Sequence, residues 1–207
     1  MKRFLLIAFL LSLFQSCGIC DCKKVACPAF SDTVFPAWFP YTKGQTLIFK
    51  NASQQTDTIL INYLNKNEAY EAQKGCYGGS SGCEQYINLR QVDSTGMQPE
   101  RFGISFNKQT AFTSNAFSNH LQIFVRGFSI TGSLSSDSIL QDNSSIGIST
   151  KYHPSLQLGV QTYTAVQVFN TDTALVKNTG IYKLYISKNA GIAGYETYPG
   201  GVLWVLQ

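Results

Sequence analysis

Charge is scarce in this chain. Sixteen Lys and Arg stand against twelve Asp and Glu in 207 residues; two of those cations, Lys2 and Arg3, lie in a leader, leaving fourteen against twelve. So even a balance excludes a basic nucleic-acid surface or a polybasic membrane patch. Histidine is rarer still. His120 opens an apolar run and His153 precedes Pro154 in a loop, and no local motif joins either to a nucleophile. There is no G-x-S-x-G elbow, so both histidines read as structural or surface residues. The carboxylates are equally unpromising: Glu68 and Glu71 share a polar segment, and Asp137, Asp142 and Asp172 sit in Ser/Thr/Asn-rich loops. Asx turns account for such aspartates without calcium. Gly78-Gly79 and Gly200-Gly201 follow turn logic and not that of a phosphate cradle. A helix of three or more turns with an apolar stripe is also missing; Glu68 to Gln73 offers one turn at most. The chain reads as non-catalytic, with no metal and no cofactor.

What is present begins with FLLIAFLLSLF, the apolar run from Phe4 to Phe14 behind the basic Lys2-Arg3. A helix of eleven residues spans about 16 Å, half a bilayer core, too little for a membrane-spanning anchor. A basic head, a short apolar stretch and a small residue at its end form the layout of a secretory signal peptide. Leu13-Phe14-Gln15-Ser16-Cys17 resembles the lipobox of bacterial lipoproteins, with Phe14 where Leu is commonest and Gln15 bulkier than the usual residue. That resemblance implies residues 1–16 as the signal peptide, cleavage after Ser16 and a lipidated Cys17 that holds the chain on a membrane. Each buried methylene adds about 0.8 kcal/mol, and two or three acyl chains give a stable anchor.

Five cysteines remain. Export would place them where disulfides persist. Cys76 and Cys83 are separated by six residues rich in Gly and Ser, which close a tight loop, so a Cys76–Cys83 bridge is expected. Its short loop limits the stabilisation to about 2 kcal/mol. Cys20, Cys22 and Cys27 form C-x-C-x₄-C, read as one local bridge, Cys27 with Cys20 or Cys22, plus one odd thiol. A zinc site would need a fourth ligand at a telling spacing, and none of Cys76, Cys83, His120 or His153 supplies it.

Residues 17–40 read as a Cys- and Pro-containing tether, with prolines disfavouring regular pairing. Trp38 and Phe39 are expected to close one end of the core. Residues 41–207 read as a single β-rich domain. Strand signals fall at Thr46 to Lys50, Thr56 to Leu64, Tyr86 to Val92, Arg101 to Asn107, His120 to Phe128, Ile146 to Thr150 and Tyr163 to Phe169. Phe102, Ile104 and Phe106 share a face at period two, and Val166 and Val168 alternate against Gln167. The end is the clearest part. Ile181 to Ser187, Ile192 to Tyr198 and Val202 to Leu206 are joined by short turns and therefore form an antiparallel meander. Tyr182, Leu184 and Ile186 are expected on one face. Some ten strands need a closed or layered arrangement, so the fold class is all-β: an antiparallel, strongly curved sheet, half-barrel or sandwich, one face core and the other largely wet.

Tyr163-Thr-Ala-Val166, Tyr182-x-x-Tyr185-x-Ser-Lys188-x-x-Gly191-x-x-x-Tyr195, Gly201-x-Leu-Trp204-x-Leu206 and the entry segment Phe39-Pro-Tyr41-x-x-Gly44-Gln-x-x-x-Phe49 together resemble uncharacterised envelope lipoproteins of Bacteroidota. The match covers about a third of the mature chain and leaves out the Cys76–Cys83 loop. It implies a lipid-anchored protein of the bacterial cell envelope, in the outer membrane and facing periplasm or surface, and it assigns no activity.

Two function classes follow. One is a non-catalytic binding or structural module whose partner is an envelope protein, glycan or lipid. The other is a lipid or lipoprotein carrier with acyl chains in a curved sheet, which needs an enclosed apolar cavity of several hundred Å³. An enzyme would need a cleft that gathers His120 or His153 with a carboxylate and a nucleophile. The lipobox reading predicts the intact mass of the protein purified from bacterial membranes. The chain should begin at Cys17 and be heavier by two or three acyl groups; an unacylated mass refutes the anchor.

Overall fold

A computed structural model describes residues 23–26, 33–68, 71–74, 82–91, 102–111, 117–141, 147–172 and 180–207 of the chain. The sheets are antiparallel throughout. A six-stranded sheet runs β10 (Ile139–Gln141), β9 (Phe128–Leu134), β8 (Phe117–Val125), β7 (Phe102–Ala111), β6 (Gly82–Arg90), β4 (Tyr63–Glu68). A seven-stranded sheet runs β11 (Ile148–Leu158), β12 (Gln161–Thr171), β13 (Ile181–Ser187), β14 (Gly191–Thr197), β15 (Val202–Leu206), β2 (Thr46–Lys50), β3 (Thr56–Leu60). Within each of these two sheets most strands lie beside their neighbour in sequence; β4 pairs with β6, and β15 returns to β2. The ladder breaks at two places, between β3 and β4 and between β10 and β11, so the meander is a two-sheet sandwich and not a closed barrel. The expected all-β antiparallel class and the terminal meander are present.

The core between the sheets follows the period-two pattern. Phe102, Ile104 and Phe106 of β7 are all buried, as are Leu47 and Phe49 of β2 and Leu184 and Ile186 of β13. A five-residue helix, α1 (Val34–Trp38), adds Phe35 and Trp38 to the same core, followed by Phe39 and Tyr41. Trp38 is fully buried and its indole Nε1 donates to the Ser135 carbonyl at 3.0 Å. Phe35 lies 5.2 Å from the Phe106 ring. Asn189 N donates to the Ala37 carbonyl at 2.5 Å, and Ile192 N donates to the Tyr41 hydroxyl at 2.5 Å. A Cβ on Gly191, whose φ is +75°, would stand 2.1 Å from that hydroxyl, so glycine is required there.

Several expectations are corrected. The stretch Thr56 to Leu64 is not one strand: it breaks at Ile61-Asn62 and passes from one sheet to the other. The run His120 to Phe128 turns at Arg126-Gly127, where φ is +46° and +89°, the signature of a two-residue hairpin turn. In the stretch Glu68 to Gln73, where one helical turn at most is expected, the described residues are strand: β4 ends at Glu68 and β5 (Glu71–Lys74) starts at Glu71. Inside the supposed tether, β1 (Lys23–Ala26) pairs regularly with β5. His153 and Pro154 lie within β11 and not in a loop; β11 is an outer strand of its sheet, where a missing N–H is tolerated. Tyr182 leaves the face of Leu184 and Ile186, because the β13–β14 register shifts between Ile181 and Lys183.

The expectation of one wet face also fails for the seven-stranded sheet. Beside the main core, Leu158, Val166, Tyr185, Ala193 and Val205 form a second buried cluster, with Leu156, Tyr163, Val168 and Leu203 against it. The β11–β12 hairpin explains it. Ala165 has φ +50° opposite Pro154, and β12 pairs with β13 only from Val166 onward. The distal half of the hairpin is thereby freed to fold over the sheet as far as β15, where the Tyr163 hydroxyl donates to the Leu206 carbonyl at 3.0 Å.

Gln167 therefore does not face water. It is buried and bridges the second break in the ladder: Ile139 N donates to its Oε1 at 2.7 Å, and its Nε2 donates to the Ile139 carbonyl. Asn119 treats the opposite residue in the same way, accepting from Leu134 N at 2.6 Å and donating to its carbonyl at 3.0 Å. Gln167→Leu keeps the volume but strips two buried backbone groups of partners, each worth about 1–3 kcal/mol. A loss of about 3 kcal/mol in urea unfolding is expected, with faster amide exchange at Ile139; unchanged stability refutes the bridge.

Candidate functional site

The β13–β14 turn, with α1 on it, occupies one end of the seven-stranded sheet. At the other end lies an open groove of about 400 Å³. Its walls include Asp57 of β3, Arg126 of the β8–β9 turn, Tyr195 of β14, Tyr198 of the β14–β15 turn and Trp204 of β15. Alternation dictates much of this. On β3, Asp57 takes the inward register of Ile59, and Trp204 faces the core while Leu203 and Val205 face outward.

An inward carboxylate has to be paired. Asp57 Oδ2 accepts from the Tyr195 hydroxyl, and Oδ1 pairs with Arg126 Nη2. Three distant parts of the chain, and both sheets, meet on this one side chain. Arg126 Nε is buried and has no partner. Tyr195 packs against Phe49 at 5.2 Å and stacks on Trp204 at 6.1 Å with the planes 19° apart. Tyr198 is 38% exposed and tied to the frame by its N–H, which donates to the Gly180 carbonyl at 2.9 Å. Burial pushes the Tyr195 hydroxyl well above the usual phenol range, and its hydrogen bond to Asp57 and that carboxylate's charge push it further; Arg126 opposes.

A second polar cluster lies one residue further along β14. Glu196 accepts from the Tyr182 and Tyr185 hydroxyls and from Lys183 Nζ at 3.1 and 3.2 Å. Burial raises its carboxyl, but the three donors outweigh it and hold the group below the usual range. Tyr182 is pushed up to about 12 by burial and by Glu196. With every partner satisfied, this cluster is a tie between β13 and β14. On the outer side of β15, a further groove of about 520 Å³ runs between the β2–β3 turn and the hairpin tip at Val160.

The residues singled out in the sequence do not gather at the end groove. His120 is exposed on β8, opposite Asn107, and His153 faces Val166 on β11, in the other sheet. Asp137 sits in the β9–β10 turn, where Ser136 Oγ donates to its Oδ2 at 3.0 Å; the turn's Asp137 and Ser138 N–H groups donate to Ser135 Oγ, which takes the part expected of an Asx carboxylate. Gly200 and Gly201 have φ of +100° and +63°, also turn conformations. Cys83 lies buried on β6 and is disulfide-bonded. Cys17, Cys20, Cys22, Cys27, Cys76 and Asp142 fall outside the described residues. Among the described residues no three His, Cys, Asp or Glu side chains gather as a metal site needs, and no helix is long and apolar enough to cross a membrane. Sequence reasoning missed Asp57, Arg126 and Tyr198. The available signal was a lone Asp at an inward position of a strand and an Arg directly before a turn glycine.

No family model, no curated protein and no solved structure matches the chain.

The raised Tyr195 hydroxyl has a pH consequence. The folded state keeps this proton above pH 10, where the unfolded tyrosine releases it, so the stabilisation is full below about pH 10 and falls as pH rises. Urea unfolding at pH 9 and pH 11 should show the Tyr195→Phe variant losing about 1.4 kcal/mol less than the parent over that interval. Parallel pH profiles refute the buried phenol–carboxylate bond.

Proposed function

We propose that this protein is a bacterial envelope lipoprotein, anchored through Cys17, whose β-sandwich is a non-catalytic binding module with its ligand seat in the end groove. The observation that carries the reading is the groove itself. Aromatic surface from Trp204 and Tyr198 stands beside a paired Asp57–Arg126 couple. That combination of an apolar wall and a few fixed polar groups is what small-ligand sites share. His120 and His153 do not line it.

The carrier alternative asks for an enclosed apolar space between the sheets. That space is occupied by Trp38, Phe39, Phe49, Phe102, Phe106 and Phe169, each no more than 2% exposed. The Cys76–Cys83 bridge belongs to the same proposal, as a staple at the start of β6.

Hydrogen–deuterium exchange of the mature chain, with and without sonicated bacterial envelope, tests the seat. Slower uptake is expected in the peptides that hold Tyr198 to Trp204 and Asp57, with α1 unchanged. Uptake that does not change at the groove refutes it.

A further inference from the structure

We infer that the ligand class of the end groove is a saccharide; this rests on reading the groove as the ligand seat. The chemistry of its wall separates sugars from lipids. An acyl chain in the groove would strip water from Thr56, Asp57, Arg126 and Thr197 and return no hydrogen bond, a costly exchange for groups that include an ion pair. A sugar carries both kinds of surface. Its C–H face lies against an aromatic ring, and its hydroxyls replace the water that the polar groups give up.

The side chains are arranged for such a double demand. Trp204 is held flat by its stack on Tyr195, and the exposed ring of Tyr198 stands at the same groove. The Asp57 carboxylate has lone pairs beyond those used by Tyr195 and Arg126, since two oxygens offer about four acceptor positions. Arg126 spends Nη2 on Asp57, but its side chain lines the groove and is partly exposed, and a guanidinium carries five N–H donors, so it can also donate to a ligand hydroxyl or acetamido carbonyl. The backbone supports the same assignment. Arg126 takes φ +46° in a turn where Asn or Asp is the usual choice, so its side chain and not its turn preference accounts for its place.

The chain contains two tryptophans, which makes the test direct. Trp204 lines the groove, and Trp38 is fully buried against Ser135 and serves as the internal control. The mature chain is labelled with 5-fluorotryptophan and titrated with tetramers of N-acetylglucosamine, cellulose, maltose and mannose type. A parallel titration uses lysophosphatidylethanolamine below its micelle concentration. The expected result is a saturable shift of the Trp204 ¹⁹F line with at least one tetramer and no movement of the Trp38 line. Tyr198→Ala should weaken that binding tenfold or more, Tyr198→Phe should retain it, and Tyr152→Ala, an exposed aromatic on β11 away from the groove, should leave it unchanged. A shift with the lysolipid alone overturns the saccharide assignment while keeping the groove as a seat. No shift with any tetramer also overturns it, and the exchange experiment above then decides whether the seat fails too.

Discussion

A carboxylate that faces the space between two sheets has to find partners, and Asp57 finds them in both. Its place on β3 is inward by register, beside Ile59, so its charge cannot turn to bulk water without breaking the strand's alternation. Tyr195 comes from the same sheet and Arg126 from the other. The pair thus fixes how the β8–β9 turn approaches the seven-stranded sheet. Tyr195 in turn holds Trp204 flat, so the groove inherits its wall from the same carboxylate. The ion pair is partly exposed, with Arg126 at 34% of its side chain, which moderates its stabilising effect without removing the need to pair Asp57.

The rest of the sandwich obeys a related rule. A meander that breaks its ladder at two places leaves backbone groups without strand partners, and buried backbone groups must be satisfied. At the β10–β11 break this falls to side-chain amides: Gln167 takes both polar groups of Ile139, and Gln141 Nε2 donates to the Ile148 carbonyl at 3.2 Å. Near the β3–β4 break the backbone does it alone, as Gly44 N donates to the Ile61 carbonyl at 2.7 Å and Ile61 N to that of Gln45 at 2.9 Å. The folded-over β11–β12 hairpin solves the apolar counterpart of this problem. It covers outward valines that a single-faced sheet would leave in water.

Legibility in the sequence tracked the range of the interactions. Thr46 to Lys50 and Ile181 to Ser187 appear as strands with their expected bounds, because alternation and turn residues are local signals. Phe102, Ile104 and Phe106 were legible for the same reason. Gln167 was not: a polar residue between two valines reads as the wet face, and only the hairpin fold and the distant Ile139 reverse the two faces. The Arg126-Gly127 turn hid inside an apolar run, since Arg is an uncommon choice at positive φ. The groove was the least legible feature, because Arg126 and Tyr195 lie 69 and 138 positions from Asp57. No motif spans such distances; only the fold joins them.

The central claim is that Asp57 and Arg126 act on each other across the sheets. A double-mutant cycle in urea measures it, with Asp57→Asn, Arg126→Asn and the double variant. Asn before Gly127 suits the turn, so the arginine variant removes the pair and spares the backbone. The account predicts a coupling energy of at least about 1 kcal/mol, with the double variant less destabilised than the two single changes sum to. Strict additivity of the two changes would contradict it.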